Sequence, residues 1–69
     1  MKISARNILK GTVLEVRKGQ TTSHVRLDLG GGNVVTASIT NESVDDLKLQ
    51  KGQSAYAIVK ATSVMIGVD

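Results

Sequence analysis

Residues 24–40 read HVRLDLGGGNVVTASIT, and this stretch decides the fold. Val25, Leu27 and Leu29 alternate with His24, Arg26 and Asp28, which is the two-residue period of a strand with one face on a core. Gly30, Gly31, Gly32 and Asn33 follow at once. Glycine and asparagine tolerate the positive φ of a tight hairpin, so the chain reverses here. Residues 34–40, VVTASIT, return antiparallel to the first run. A glycine run can also cradle phosphate. That use needs a following Gly-Lys-Ser/Thr and a helix start, and neither is present.

Outward from the hairpin, residues 8–18 (ILKGTVLEVRK) read as an earlier strand, with Leu14 and Val16 on one face and Glu15 and Arg17 on the other. After it, residues 41–47 (NESVDDL) break the strand pattern. Thr40 or Asn41 can cap a short helix there, acidic residues suit its first turns, and Val44 and Leu47 can anchor it. Lys51-Gly52-Gln53 is a turn, and residues 54–60 (SAYAIVK) and 63–68 (SVMIGV) read as two more strands. Val, Ile and Thr make up 20 of the 69 residues, which also favours strands. The expectation is one all-β domain over residues 1–69: a five-stranded OB-like barrel with one short helix between strands 3 and 4. The pattern alone leaves an SH3-like barrel open.

The last two strands differ from the others. Ala55, Ala57 and Val59 share one face while Tyr56 and Ile58 occupy the other, and Val64, Ile66 and Val68 alternate with Met65 and Gly67. Apolar residues on both faces call for cover on both faces. A barrel of one short chain covers only its inside, so the second cover points to another subunit. Size gives the same answer: a domain of about 60 residues buries only ~60% of its unfolded surface and is marginal alone. There is no Cys for a disulfide or a thiolate metal site, and one His cannot build a histidine cage.

The composition also narrows the chemistry. His24 lies on the polar face of a regular strand, and Asp45 and Asp46 are adjacent on a helical turn and diverge, so no nucleophile–base or acid–base pair is formed. Single-strand nucleic-acid binders stack bases on aromatic rings, yet Tyr56 is the sole aromatic. The net charge of +3 is mild and its basic residues are dispersed. No run approaches the ~20 apolar residues of a membrane span. MKISARN lacks the apolar core of a signal peptide, which leads to an expected cytoplasmic location.

Small-anion binding is the remaining option. Three segments combine donor side chains with a break in regular pairing: Ser4-Ala5-Arg6-Asn7, Thr40-Asn41-Glu42-Ser43 and Lys60-Ala61-Thr62-Ser63. Breaks leave N–H groups free to point at a ligand, and Arg6 and Lys60 match the charge of a dianion. The ordinary reading of each is a turn cap or a strand end.

These same segments carry a family resemblance. Ser4-Ala5-Arg6-Asn7, Leu9-Lys10-Gly11, Ile39-Thr40-Asn41-Glu42-Ser43-Val44 and Val59-Lys60-Ala61-Thr62-Ser63-Val64-Met65 resemble the molbindins, small molybdate- and tungstate-binding proteins built from one TOBE-type domain. The resemblance runs from Ile3 to Asp69. It implies an OB-like fold, a dimer that exchanges strands, and a hexamer made as a trimer of dimers. It also implies no catalysis and no direct metal ligand: molybdate or tungstate is held as an intact oxyanion in pockets between subunits, for storage, buffering or delivery. On this resemblance the oxyanion site takes Ser4, Ala5, Arg6, Thr40, Ser43, Lys60 and Ala61. Many relatives carry Ser where this chain has Ala61, which leaves a backbone N–H in place of a hydroxyl, with Thr62 a candidate to compensate. The competing readings are an OB-fold nucleic-acid module and an interaction domain that docks a larger protein through its second apolar face.

Overall fold

The computed structural model describes residues Met1–Asp69. Four strands form one antiparallel sheet: β1 (Asn7–Lys18), β2 (Thr22–Gly30), β3 (Asn33–Thr40) and β4 (Ser54–Val59). Helix α1 (Asn41–Leu47) joins β3 to β4, and a single 3-10 turn (Ala61–Ser63) follows β4. The spatial order is β3-β2-β1-β4. No helix is long and apolar enough to cross a membrane. A curled antiparallel sheet with one short helix is consistent with the OB-like expectation.

The deciding hairpin forms as read. Gly30 pairs with Asn33, and Gly31 and Gly32 take φ 62° and 83°, the positive values that a two-residue primed turn needs. Val25 and Leu27 face the core. Leu29 is an extra residue between the Asp28–Val34 and Gly30–Asn33 pairs, and Asp28 Oδ1 accepts a bond of 2.8 Å from the Gly30 N–H beside it.

Two details of the sequence reading are corrected. First, Leu14 does not share the core face with Val16. The register steps from Val13–Leu27 to Glu15–Arg26, so Leu14 is a bulge residue and Val13 takes the core position. Second, there are four strands, not five. Residues 64–69 form no ladder, although Val64 keeps an extended backbone (φ −96°, ψ 130°). A strand exists only where a neighbour receives its backbone bonds, and residues 64–69 reach neither free edge of the sheet.

Strand β1 serves two partners. Asn7–Thr12 pairs with β4, and Thr12–Lys18 pairs with β2. At the junction, a Cβ on Gly11 would lie 2.5 Å from the Asp28 carbonyl oxygen and 3.0 Å from Leu27 Cγ, so only glycine admits the approach. The core is small: Val13, Val25, Leu27 and Val44, with Val16, Leu29, Ile39, Leu49, Ala55 and Ala57 packed around it. Burial of Val44 docks α1 on the sheet. The helix ends in a Schellman arrangement, with Lys48 N–H bonded to Asp45 O and Leu49 N–H to Val44 O, both at 3.1 Å. The left-handed residue is Lys48, at φ 53°, where glycine is usual.

Two substitutions test these backbone arguments with opposite signs. Gly11→Ala is expected to lower stability in urea by about 1–3 kcal/mol through overpacking against backbone. Lys48→Gly is expected to raise it by about 0.5 kcal/mol, because relief of ~1–2 kcal/mol of left-handed strain exceeds glycine's added chain entropy. The reverse ranking would contradict the assigned geometry.

Candidate functional site

The seven residues singled out from the sequence fall into two groups. Ser4, Ala5 and Arg6 directly precede β1, and Lys60 and Ala61 directly follow β4. Asn7 pairs with Val59, and its Nδ2 donates to the Val59 carbonyl at 3.2 Å, so the two segments leave the sheet side by side. Thr40 and Ser43 lie elsewhere. Thr40 pairs with Thr22 at the start of β2, next to the Lys18 end of β1. The register therefore brings Ser4, Arg6 and Lys60 to one end of β1 and Thr40 and Ser43 to the other.

The first group supplies charge and free amides. Arg6 and Lys60 are exposed and neither is in an ion pair; the two ion pairs of the molecule are Arg17–Glu15 and Lys18–Asp45. Lys60 starts the 3-10 turn, which is closed by Ser63 N–H to Lys60 O at 2.8 Å and Val64 N–H to Ala61 O at 3.3 Å. The amides of Ala61 and Thr62 stand at its beginning, where N–H groups have no acceptor within the turn. Ala61 can thus donate to an anion without a side-chain hydroxyl.

The second group supplies hydroxyls on a fixed frame. Thr40 is the N-cap of α1: its Oγ1 accepts from the Ser43 N–H at 3.0 Å and donates to Ser43 Oγ at 2.8 Å. The Thr40 proton is spent inside this pair, which leaves the Ser43 proton to point outward. Glu42 adds a carboxylate in the same first turn. The lysine tied to this end, Lys18, is bonded to Asp45 at 2.6 Å. A dianion held here would need positive charge from elsewhere.

One residue of this region, Ser23, is not among those singled out from the sequence. Ser23 is fully buried, and its hydroxyl donates to Asn41 Oδ1 at 2.5 Å. A signal existed: Ser23 extends the Val25–Leu27 alternation by one step, so it lies on the core face. Asn41 falls within the candidate donor segment 40–43, but nothing in the sequence shows that its side chain bonds to Ser23 and Gly19. A separate apolar cleft of about 370 Å³ opens between β3 and β4, lined by Val35, Ile39, Leu49, Tyr56 and Ile58 among others. His24 is exposed on the outer face, as its alternation requires.

Comparison with known proteins gives consistent results. The family model described as TOBE domain matches residues 3–66. A probable molybdenum-pterin-binding protein of Haemophilus influenzae is 51% identical over 69 residues, covering all of both chains. The structure of a molybdate-binding protein from Sporomusa ovata is 41% identical with a TM-score of 0.91, over 99% of this chain and all of that one. The cytoplasmic molybdate-binding protein ModG, solved with molybdate bound, is 43% identical with a TM-score of 0.93; the match covers all of this chain and 49% of ModG.

The Thr40 cap is testable apart from any ligand. Thr40→Ala is expected to lower unfolding free energy by about 1 kcal/mol and Thr40→Ser to leave it nearly unchanged. Equal losses in urea titrations of the two variants would mean that the hydroxyl does not cap α1.

Proposed function

The chain belongs to the TOBE domain family, and from that premise we propose that it binds molybdate as an intact dianion in pockets shared between copies of itself. The observation that carries this reading is the division of the donor set. Arg6, Lys60, Ser4 and the Ala61 amide stand at one end of β1, and Ser43, with the Thr40 hydroxyl that orients it, at the other. One small tetrahedral anion is reached by both groups when the charged end of one copy meets the hydroxyl end of the next. The Ala5 backbone completes the first group.

The uncovered surface supports the same assembly. Met65, Ile66 and Val68 are about nine-tenths exposed, at 92%, 89% and 94%. They form an apolar extended tail, while β3 and β4 leave their outer edges unpaired. Exchange of this segment into a partner's sheet satisfies both, restoring the fifth strand between chains. A hexamer built as a trimer of dimers is the assembly this reading takes.

Chemistry accounts for selectivity. Molybdate near neutral pH is an acceptor-only dianion, and charge-assisted hydrogen bonds from Arg6 and Lys60 are about twice as strong as neutral ones. Protonated phosphate loses a bond in a pocket without an acceptor. Sulfate is too small for rigidly placed donors, and tungstate is close to molybdate in size and binds alike. No nucleophile or acid–base pair accompanies the donors, so the role is non-enzymatic: storage, buffering or delivery of molybdate in the cytoplasm. A single exposed tyrosine and dispersed charge give a nucleic-acid role no footing.

Calorimetric titration at fixed pH is expected to show molybdate and tungstate binding, with sulfate and phosphate far weaker. Arg6→Ala should lower molybdate affinity by about tenfold or more, the loss of a charge-assisted bond. Sedimentation should show an oligomer that molybdate stabilises. A monomer saturated with molybdate, or an Arg6→Ala protein with unchanged affinity, would overturn the shared-pocket reading.

A further inference from the structure

Ser23 is 0% exposed, in a core otherwise made of Val13, Val25, Leu27 and Val44. A hydroxyl there is costly unless bonded, and an alanine or valine would serve packing better. Its proton goes to Asn41 Oδ1 at 2.5 Å. Asn41 is tied twice more: Nδ2 donates to Gly19 O at 3.0 Å, and its backbone N–H donates to Thr21 O at 2.9 Å. Three bonds thus fasten the residue after Thr40, two to the β1–β2 turn and one to Ser23 of β2. The neighbouring Lys18–Asp45 pair is solvent-exposed and adds little hold.

We infer that Ser23 and Asn41 are positioning residues for the Thr40–Ser43 donor pair, fixing it relative to the sheet so that it meets a tetrahedral oxyanion in register. The inference rests on the molybdate-site reading above. Donors to a small anion must hold their places within about half an ångström to keep their bonds. Thr40 is placed by its pairing with Thr22, and buried Val44 docks α1, but neither sets the angle at which the first turn of α1, with Ser43, leaves the end of β3. The Asn41 bonds do that, and Ser23 orients the Asn41 amide: once Oδ1 accepts from Ser23, Nδ2 is left to face Gly19 O. The tie lies behind the donors and touches no ligand.

Molybdate titrations of the full chain test this, with urea stability measured in parallel. Ser23→Ala and Asn41→Gln are compared with Thr40→Ala, and with Leu29→Ala, which trims core packing at the far end of β2. The expected result is an affinity loss of about tenfold for Ser23→Ala and Asn41→Gln, while Leu29→Ala stays within about twofold at comparable stability loss. Asn41→Gln keeps every polar group and displaces the amide by one methylene, so it carries the test alone should Ser23→Ala not fold. Unchanged affinity in Thr40→Ala would overturn the underlying site reading. A loss in Thr40→Ala with none in Ser23→Ala and Asn41→Gln would overturn only the positioning role. Equal losses in Leu29→Ala would overturn it as well, by reducing the effect to general destabilisation.

Discussion

The divided pairing of β1 is the constraint on which the rest of the molecule depends. Its first half is bonded to β4 and its second half to β2, with Gly11 at the handover. One strand thus spans the length of the domain and separates the segments at its two ends. The same arrangement leaves β3 and β4 as free edges on either side of an apolar cleft. Closing that gap within one chain would require another strand, and residues 64–68 do not return to supply it. A thin core, two open edges and an apolar tail all follow from one strand being shared in this way.

The parts of this architecture that depend on local chemistry were readable in the sequence. The 24–40 hairpin followed from alternation and glycines, and α1 from Thr40 and an acidic first turn. β4 was found within one residue. What depends on non-local pairing was not readable. SVMIGV at 63–68 has the composition and alternation of a strand, but strand formation is a property of two segments, and this one pairs with no other in the chain. The Leu14 bulge was hidden for a similar reason: alternation alone cannot show that one extra residue has slipped into the ladder, and the slip moves Val13, not Leu14, into the core.

The candidate site divides along the same line. Which residues have donors was evident from their types. Their distribution was not, because Arg6 and Lys60 become neighbours only through the Asn7–Val59 register, and Thr40 is carried to the far end of β1 only through its pairing with Thr22. Ser23 shows the limit most sharply. Its alternation places it on the core face, but only the three-dimensional pairing of β2 with the start of α1 reveals what its hydroxyl is for.

Charge explains why such a site gains from being split. The hydroxyl end has Glu42 in its first turn and Lys18 paired with Asp45, so alone it offers a dianion little attraction. The cationic end has Arg6 and Lys60 unpaired, so alone it would attract any anion with little regard for shape. In the proposed shared pocket, the cations of one copy offset the carboxylate of the next, and the hydroxyls and amides impose tetrahedral directions. Neither attraction nor discrimination is then complete in one chain. Ligand binding and assembly are linked in that proposal: an anion at one hundred times its Kd would add about 2.7 kcal/mol to the assembled state for each pocket it fills. For a domain with only four buried apolar residues, that is a large share of its stability. On the proposed function, filling the pockets therefore strengthens the assembly, and emptying them loosens it.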